Sequence, residues 1–127
     1  MKVSLLIVAH GSKSESTREQ FEKIVALSKQ KSDYDFVEGA YLEFSKPDIR
    51  EAASSLIRKG ASRIIVALYF LFDGIHTKRD IPEIIQGLSH EYPEIEFKIT
   101  KPIGYEPVLA DIILKRAGEL GESFNID

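Results

Sequence analysis

Four times along this chain a short apolar run gives way to a turn, and then to a stretch whose apolar residues recur at helical spacing. Val3 to Ala9 and Ile64 to Leu68 are the strongest of these runs, apolar almost without a break. A strand of that composition has no side it can show to water. It belongs inside a parallel sheet whose crossover helices cover both faces. Alternating strands and helices with right-handed crossovers then predict an α/β fold of three layers. The expectation is a four-stranded parallel sheet, order 2-1-3-4, with helices on both faces: a truncated, flavodoxin-like half. One domain over residues 1–127 is the natural size.

The order along the chain is as follows. After Val3–Ala9 the turn His10-Gly11-Ser12 leads to a helix over about Ser14–Lys31, with Phe21, Ile24, Val25 and Leu27 toward the sheet. A second strand covers Phe36–Phe44; Glu38 and Gly39 interrupt it, which an edge strand tolerates, and Glu43 stands near its end. Ser45-Lys46-Pro47 predicts a helix start with Pro47 in the first turn, and Ile49, Ala52, Ala53, Leu56 and Ile57 form its buried stripe up to Gly60. The third strand is read as Arg63–Leu71. Asp80, with Pro82 and Glu83 after it, has the pattern of a helix N-cap; the helix runs from Ile81 to Tyr92, and Pro93 stops it. Its late histidine, His90, suits a helix C-terminus. Ile95, Phe97 and Ile99 alternate with polar residues as a half-exposed strand. Pro107 opens a last helix with Leu109, Ile112 and Ile113 expected to face inward, and from Gly121 the chain is expected to fray.

Composition removes several function classes. There is no cysteine, so disulfides, thiolate metal sites and thiol catalysis are excluded. A metal would have to be held by carboxylates and three histidines. The net charge of −3 argues against a broad nucleic-acid surface. No run approaches the roughly 18 apolar residues of a membrane span, and the apolar start lacks a signal-peptide cleavage pattern. The expected setting is cytoplasmic, with no membrane and no nucleic-acid partner.

In an open parallel sheet, ligands bind beyond the carboxyl ends of the strands. His10, Glu43, the Asp73–His76 loop and Lys101 all fall on that edge. Two imidazoles and a carboxylate suit a divalent metal such as cobalt, nickel or iron. The same groups could accept protons near neutral pH. Gly11-Ser12 could alternatively cradle an anion on backbone N–H groups. Lys13, Arg18, Lys46, Lys78, Arg79 and Lys101 form a basic rim suited to a polycarboxylate or a phosphate. Tyr69 to Phe72 prolong an apolar run past what a strand needs, as core or as a wall for a flat ligand or a second subunit. His-Gly after a first strand also occurs in phosphohistidine enzymes, but those place Arg before the His, where this chain has Ala9.

Leu6-Ile7-Val8-Ala9-His10-Gly11-Ser12, then Tyr41-Leu42-Glu43-Phe44 with Pro47, then Tyr69-Phe70-Leu71 through Gly74-x-His76 to Asp80-Ile81-Pro82, resemble the small CbiX-type sirohydrochlorin chelatases. These are short archaeal relatives of the CbiK, SirB and ferrochelatase group. The likeness covers nearly the whole chain in order. Leu68 departs from it, standing where many relatives have Pro.

The resemblance implies ATP-independent insertion of a divalent metal into a cyclic tetrapyrrole. Cobalt is the first expectation, and nickel or iron the others. The metal is a substrate, and no tightly bound cofactor is expected. His10 and His76 match the metal-binding and proton-accepting histidines, and Glu43 an assisting acid. The substrate-binding set expected on these grounds is Ser12, Lys46, Phe72, Asp73, Gly74, Ile75, Lys78 and Arg79. Larger relatives carry two such halves, so a homodimer with the site between subunits is implied. Two competing readings share the fold: a non-catalytic metal or tetrapyrrole carrier, and a flavodoxin-like regulatory module.

Overall fold

The computed structural model of the chain describes residues 1–124. Among these residues nine elements follow one another: β1 (Val3–Ala9), α1 (Glu15–Lys31), β2 (Phe36–Tyr41), α2 (Ile49–Arg58), β3 (Arg63–Leu68), a π-helical turn (His76–Asp80), α3 (Ile81–Glu91), β4 (Glu96–Ile99) and α4 (Pro107–Glu119). The sheet order is β2-β1-β3-β4, as the alternation requires. Every pairing is parallel, with Ile7 opposite Gly39 on one side of β1 and Ala67 on the other.

The two sheet faces are covered unequally. Leu6 and Val8 of β1, Ala40 of β2 and Ile64, Val66 and Leu68 of β3 pack against Ile49, Ala52, Ala53 and Leu56 of α2 and Ile81, Ile85 and Leu88 of α3. These are the stripes that the 3.6-residue period places inward. Ile7, Val37 and Tyr41 meet only Phe21 as a buried partner from α1, with Val25 half-buried beside it. Ile24 and Leu27, expected inward, are exposed. The narrow apolar stripe of α1 has a single deep anchor in Phe21, with Val25 packed beside it.

Local signals set most helix ends. Ser14 caps α1 by accepting from the Thr17 N–H. The start of α2 is later than Pro47 suggested: Asp48 is the N-cap, and it forms a reciprocal capping box with Glu51. At the other end Gly60 adopts φ +104° while the Gly60 and Ala61 N–H groups return to the Ile57 and Leu56 carbonyls, a Schellman close. Strands β2 and β3 stop at Tyr41 and Leu68, short of the expected Phe44 and Leu71. The Leu68 N–H donates to Thr100 Oγ1 at 3.1 Å, a bond that a proline there would not make.

Two expectations fail in a way that matters. Asp80 does not cap α3. It lies in helical conformation, bonds no backbone N–H, and continues a turn that begins at His76. And α4 buries none of its residues. Leu109 is half-buried, whereas Ile112 and Ile113 are 45% and 67% exposed. Periodicity located an apolar face on α4, but among the described residues nothing buries it. The helix ends at Glu119 and none continues to Phe124; the rest of the expected frayed end, residues 125–127, lies outside the described residues.

Candidate metal site at the carboxyl edge of the sheet

The site forms where β1 and β2 run out. Past the last paired residues, Ala9 and Tyr41, the two chains stay in register: the Leu42 N–H donates to the Ala9 carbonyl at 2.9 Å and the Glu43 N–H to the His10 carbonyl at 3.0 Å. This holds His10 beside Glu43, with His10 Nε2 2.7 Å from Glu43 Oε2. The approach is so close that only glycine fits next. Gly11 has φ +112°, and a Cβ there would sit 1.7 Å from the Glu43 carbonyl oxygen. Ser45 ties the same two loops together, donating from Oγ to the Ser12 carbonyl at 2.7 Å and accepting from the Ser12 N–H at 3.3 Å.

His76 arrives from the third strand's loop. It opens the π-helical turn, in which the Ile81 N–H reaches back five residues to the His76 carbonyl. Thr77, buried beneath the turn, secures its start: its hydroxyl donates to Asp73 Oδ1 at 2.9 Å and accepts from the Gly74 N–H at 2.9 Å. The His10 and His76 ring centroids are 5.0 Å apart. One donor atom from each of His10, Glu43 and His76 lies within 4.8 Å of the others, the spacing of a set that could hold a metal ion. All three side chains remain partly open to solvent. Such a set can take up a metal and release it.

Asp80 lies behind His76. Its Oδ2 is 2.7 Å from His76 Nδ1, and its Oδ1 accepts from Arg79 Nε at 2.9 Å. The Arg79 guanidinium, and after it His76, hold the Asp80 carboxyl below the usual carboxylate range. Phe44, at φ +69°, stands edge-on to His10 with the centroids 5.8 Å apart, and the Lys13 ammonium lies 5.6 Å over its ring. Neither Asp80 nor Phe44 was among the residues expected at the site. The His76-x-x-x-Asp80 spacing was the legible signal for the first, since residues four apart share a helix face. It was hidden by reading Asp80 as a cap.

The expected substrate-binding residues divide. Phe72 and Ile75 are exposed on the His76 loop, with Gly74 between them and no heavy atom within 4 Å of where its Cβ would be. Lys78 is exposed and makes no ion pair among the described residues. Arg79 and Asp73 are already engaged, with Asp80 and Thr77. Lys46 is tied to the start of α2, 3.1 Å from Glu51 and 3.5 Å from Asp48; the Glu51 bond above all raises its pKa. Ser12 serves the loop tie and accepts from the Arg18 guanidinium at 3.1 Å through its carbonyl. Lys101 is exposed, and its carbonyl accepts from Thr100. Beside the triad a cleft lined by His10, Arg18, Phe21, Tyr41 and Tyr69 opens toward α1. Burial raises the pKa of the Tyr41 hydroxyl there.

Residues 4–120 match the CbiX family profile. The chain is 35% identical over 112 residues to the chloroplastic sirohydrochlorin ferrochelatase of Arabidopsis thaliana, covering 88% of this chain and 50% of that one. It is 30% identical over 142 residues to the sirohydrochlorin cobaltochelatase of Methanopyrus kandleri, covering 94% and 99%. The sirohydrochlorin chelatase SirB from Bacillus subtilis subspecies spizizenii, solved in complex with cobalt, superposes with a TM-score of 0.91 at 28% identity, over 94% of this chain and 51% of SirB. The chain thus spans half the length of the plant relative and of SirB, and nearly all of the Methanopyrus protein.

Proposed function

The chain belongs to the CbiX family, and on that footing we propose that it is a metal chelatase that inserts a divalent ion into sirohydrochlorin without ATP. Cobalt is the first metal, because a relative similar along its whole length is named a cobaltochelatase; iron follows from the ferrochelatase relatives. The observation that carries the reading is the juxtaposition of His10, Glu43 and His76, whose donor atoms lie within 4.8 Å of one another at the open end of the sheet.

Insertion needs two things from a protein. The metal must be held by few ligands, so that pyrrole nitrogens can replace them. Two pyrrole N–H protons must also leave as the metal enters. His10 and His76 are borderline ligands suited to cobalt and iron, and as each pyrrole nitrogen takes the metal from one of these ligands, a freed imidazole or Glu43 can accept the proton that nitrogen gives up. Lys78, exposed at the rim, suits a peripheral carboxylate of the substrate, and Phe72 and Ile75 suit its flat apolar face.

The working unit in this reading is a homodimer with the site between copies, in the cytoplasm. Two observations support the second copy. The exposed apolar face of α4 joins Leu71, Phe72 and Tyr105 in one groove on the same side of the molecule as the His76 loop. And the longer relatives carry about one further chain length beyond the part matched here. A twofold arrangement would cover that groove with its own counterpart.

The test is an anaerobic insertion assay with sirohydrochlorin and Co²⁺, followed by visible spectra. The wild-type protein is expected to exceed the spontaneous rate, and His76→Ala to lose the excess. Spectral binding with no gain in rate would establish a carrier in place of an enzyme. No spectral response would remove the chelatase reading.

A further inference from the structure

The structure assigns Asp80 as the positioning residue that fixes His76 in one tautomer and keeps its Nε2 free for the metal. The inference deepens the chelatase reading and rests on it for the identity of the bound ion.

An ionised carboxylate accepts hydrogen bonds and cannot donate them. Both oxygens of the Asp80 carboxylate are engaged. Oδ1 takes the Arg79 Nε–H at 2.9 Å, and Oδ2 faces His76 Nδ1 at 2.7 Å. The proton in that second contact therefore sits on Nδ1, and in the neutral ring the lone pair sits on Nε2. A histidine that ligates through one nitrogen while its other N–H is held by a carboxylate is oriented, and it is made a stronger donor.

The backbone is shaped for this pairing. Asp80 occupies the position from which α3 could be capped, yet it bonds no backbone N–H of that helix. The π-helical turn carries the chain through Asp80 in helical conformation instead, so that His76 and Asp80 face each other four residues apart. Thr77 locks the start of the turn from beneath with Asp73 and Gly74, in a buried position. Without an interaction of value at Asp80, an ordinary capped start of α3 would satisfy more N–H groups.

The second histidine is held differently. His10 Nε2 is in contact with a carboxylate that belongs to the candidate ligand set, Glu43 Oε2 at 2.7 Å. A metal reaching His10 Nε2 has to break that contact, whereas His76 offers Nε2 with its orienting bond on the far side of the ring.

The test reads the metal and the tautomer directly. Apo protein is titrated with Co²⁺, and the His76 ring nitrogens are followed by ¹⁵N NMR, for wild type, Asp80→Asn and Asp80→Glu. An amide donates as well as accepts, so in Asp80→Asn the tautomer is no longer dictated. Cobalt affinity is expected to fall about ten- to a hundredfold, and the Nδ1–H signature of His76 to be lost. Asp80→Glu, which keeps the charge, is expected to recover part of both and also covers the case in which Asp80→Asn fails to fold. Wild-type cobalt affinity and an unchanged tautomer in Asp80→Asn would overturn the assignment. So would a folded Asp80→Glu that binds no better than Asp80→Asn. Neither readout requires turnover. An Asp80-dependent cobalt site in a protein that inserts no metal would refute the chelatase reading and leave this one standing.

Discussion

Replacing Gly11 with alanine strikes the point where the site and the fold share one contact. The new Cβ would stand 1.7 Å from the Glu43 carbonyl oxygen and 2.9 Å from its carbon. Carbon–oxygen contacts begin at about 3.3 Å, so the two loops must separate by about 1.6 Å. The obstacle is backbone on both sides, and no side chain can rotate out of the way. Left-handed conformation at a non-glycine residue costs about 1–2 kcal/mol, and overpacking a close contact about 1–3 kcal/mol more. A loss of about 2–5 kcal/mol is a large part of the ~5–15 kcal/mol that holds a domain together. In urea, at a slope of about 2 kcal/mol per molar, the midpoint should fall by about 1–2.5 M. The same separation moves Glu43 from His10, and about 1 Å of misplacement can reduce a rate by about a hundredfold. Gly74→Ala is the control, since no heavy atom lies within 4 Å of its added Cβ and its φ is not left-handed. It should unfold within about 0.5 kcal/mol of wild type. A Gly11→Ala protein with the wild-type urea midpoint and wild-type cobalt binding would refute the reasoning.

Asp48→Ala removes a capping box and should cost about 1 kcal/mol at neutral pH in urea unfolding. The Asp48 carboxyl is held below 3.8, first by the Glu51 N–H, so its contribution is fully present above that value and is lost as pH falls through the lowered folded pKa; the gap between variant and wild type should close in acid. Ile113→Asp alters a side chain that is 67% exposed and should leave stability within about 0.5 kcal/mol. In sedimentation it should convert a species of twice 14.3 kDa into the single chain, whereas a monomeric wild type would remove the dimer. Lys78→Ala should raise KM for sirohydrochlorin several-fold with kcat nearly unchanged, the mark of a binding contact. Lys46→Ala, whose ammonium is engaged by Asp48 and Glu51, should change KM less.

Much of this architecture is legible without coordinates because its causes are local or periodic. An apolar run such as Val3–Ala9 can only be a covered strand, and the Ile49–Leu56 stripe can only be a helix with one buried side. Given alternating elements, the handedness of crossovers leaves few sheet orders. The triad was also legible as candidates, because the ends of parallel strands share an edge. His10, Glu43 and His76 all stand just past strand ends, so topology brings them near one another whatever the loop details.

The errors come from residues whose role depends on what lies opposite. Asp80 satisfies the pattern of a cap, and a cap is a local bond. The observed bond to His76 forms because the chain is already helical from His76 on, through a π turn that precedes α3. Lys46 belongs to the basic rim by position, but two acids at the start of α2 take its charge first.

The sequence by itself determined the strands, the helices, their order and the edge on which the candidate ligands stand, because backbone propensity and apolar period act over a few residues. Only the tertiary structure decided which neighbours those side chains face. It set Gly11 against the Glu43 carbonyl, placed a carboxylate behind His76, and left the apolar face of α4 uncovered among the described residues. An amphipathic period states that a face is to be buried; it does not state against what. That depends on shape and distance between segments far apart in the chain.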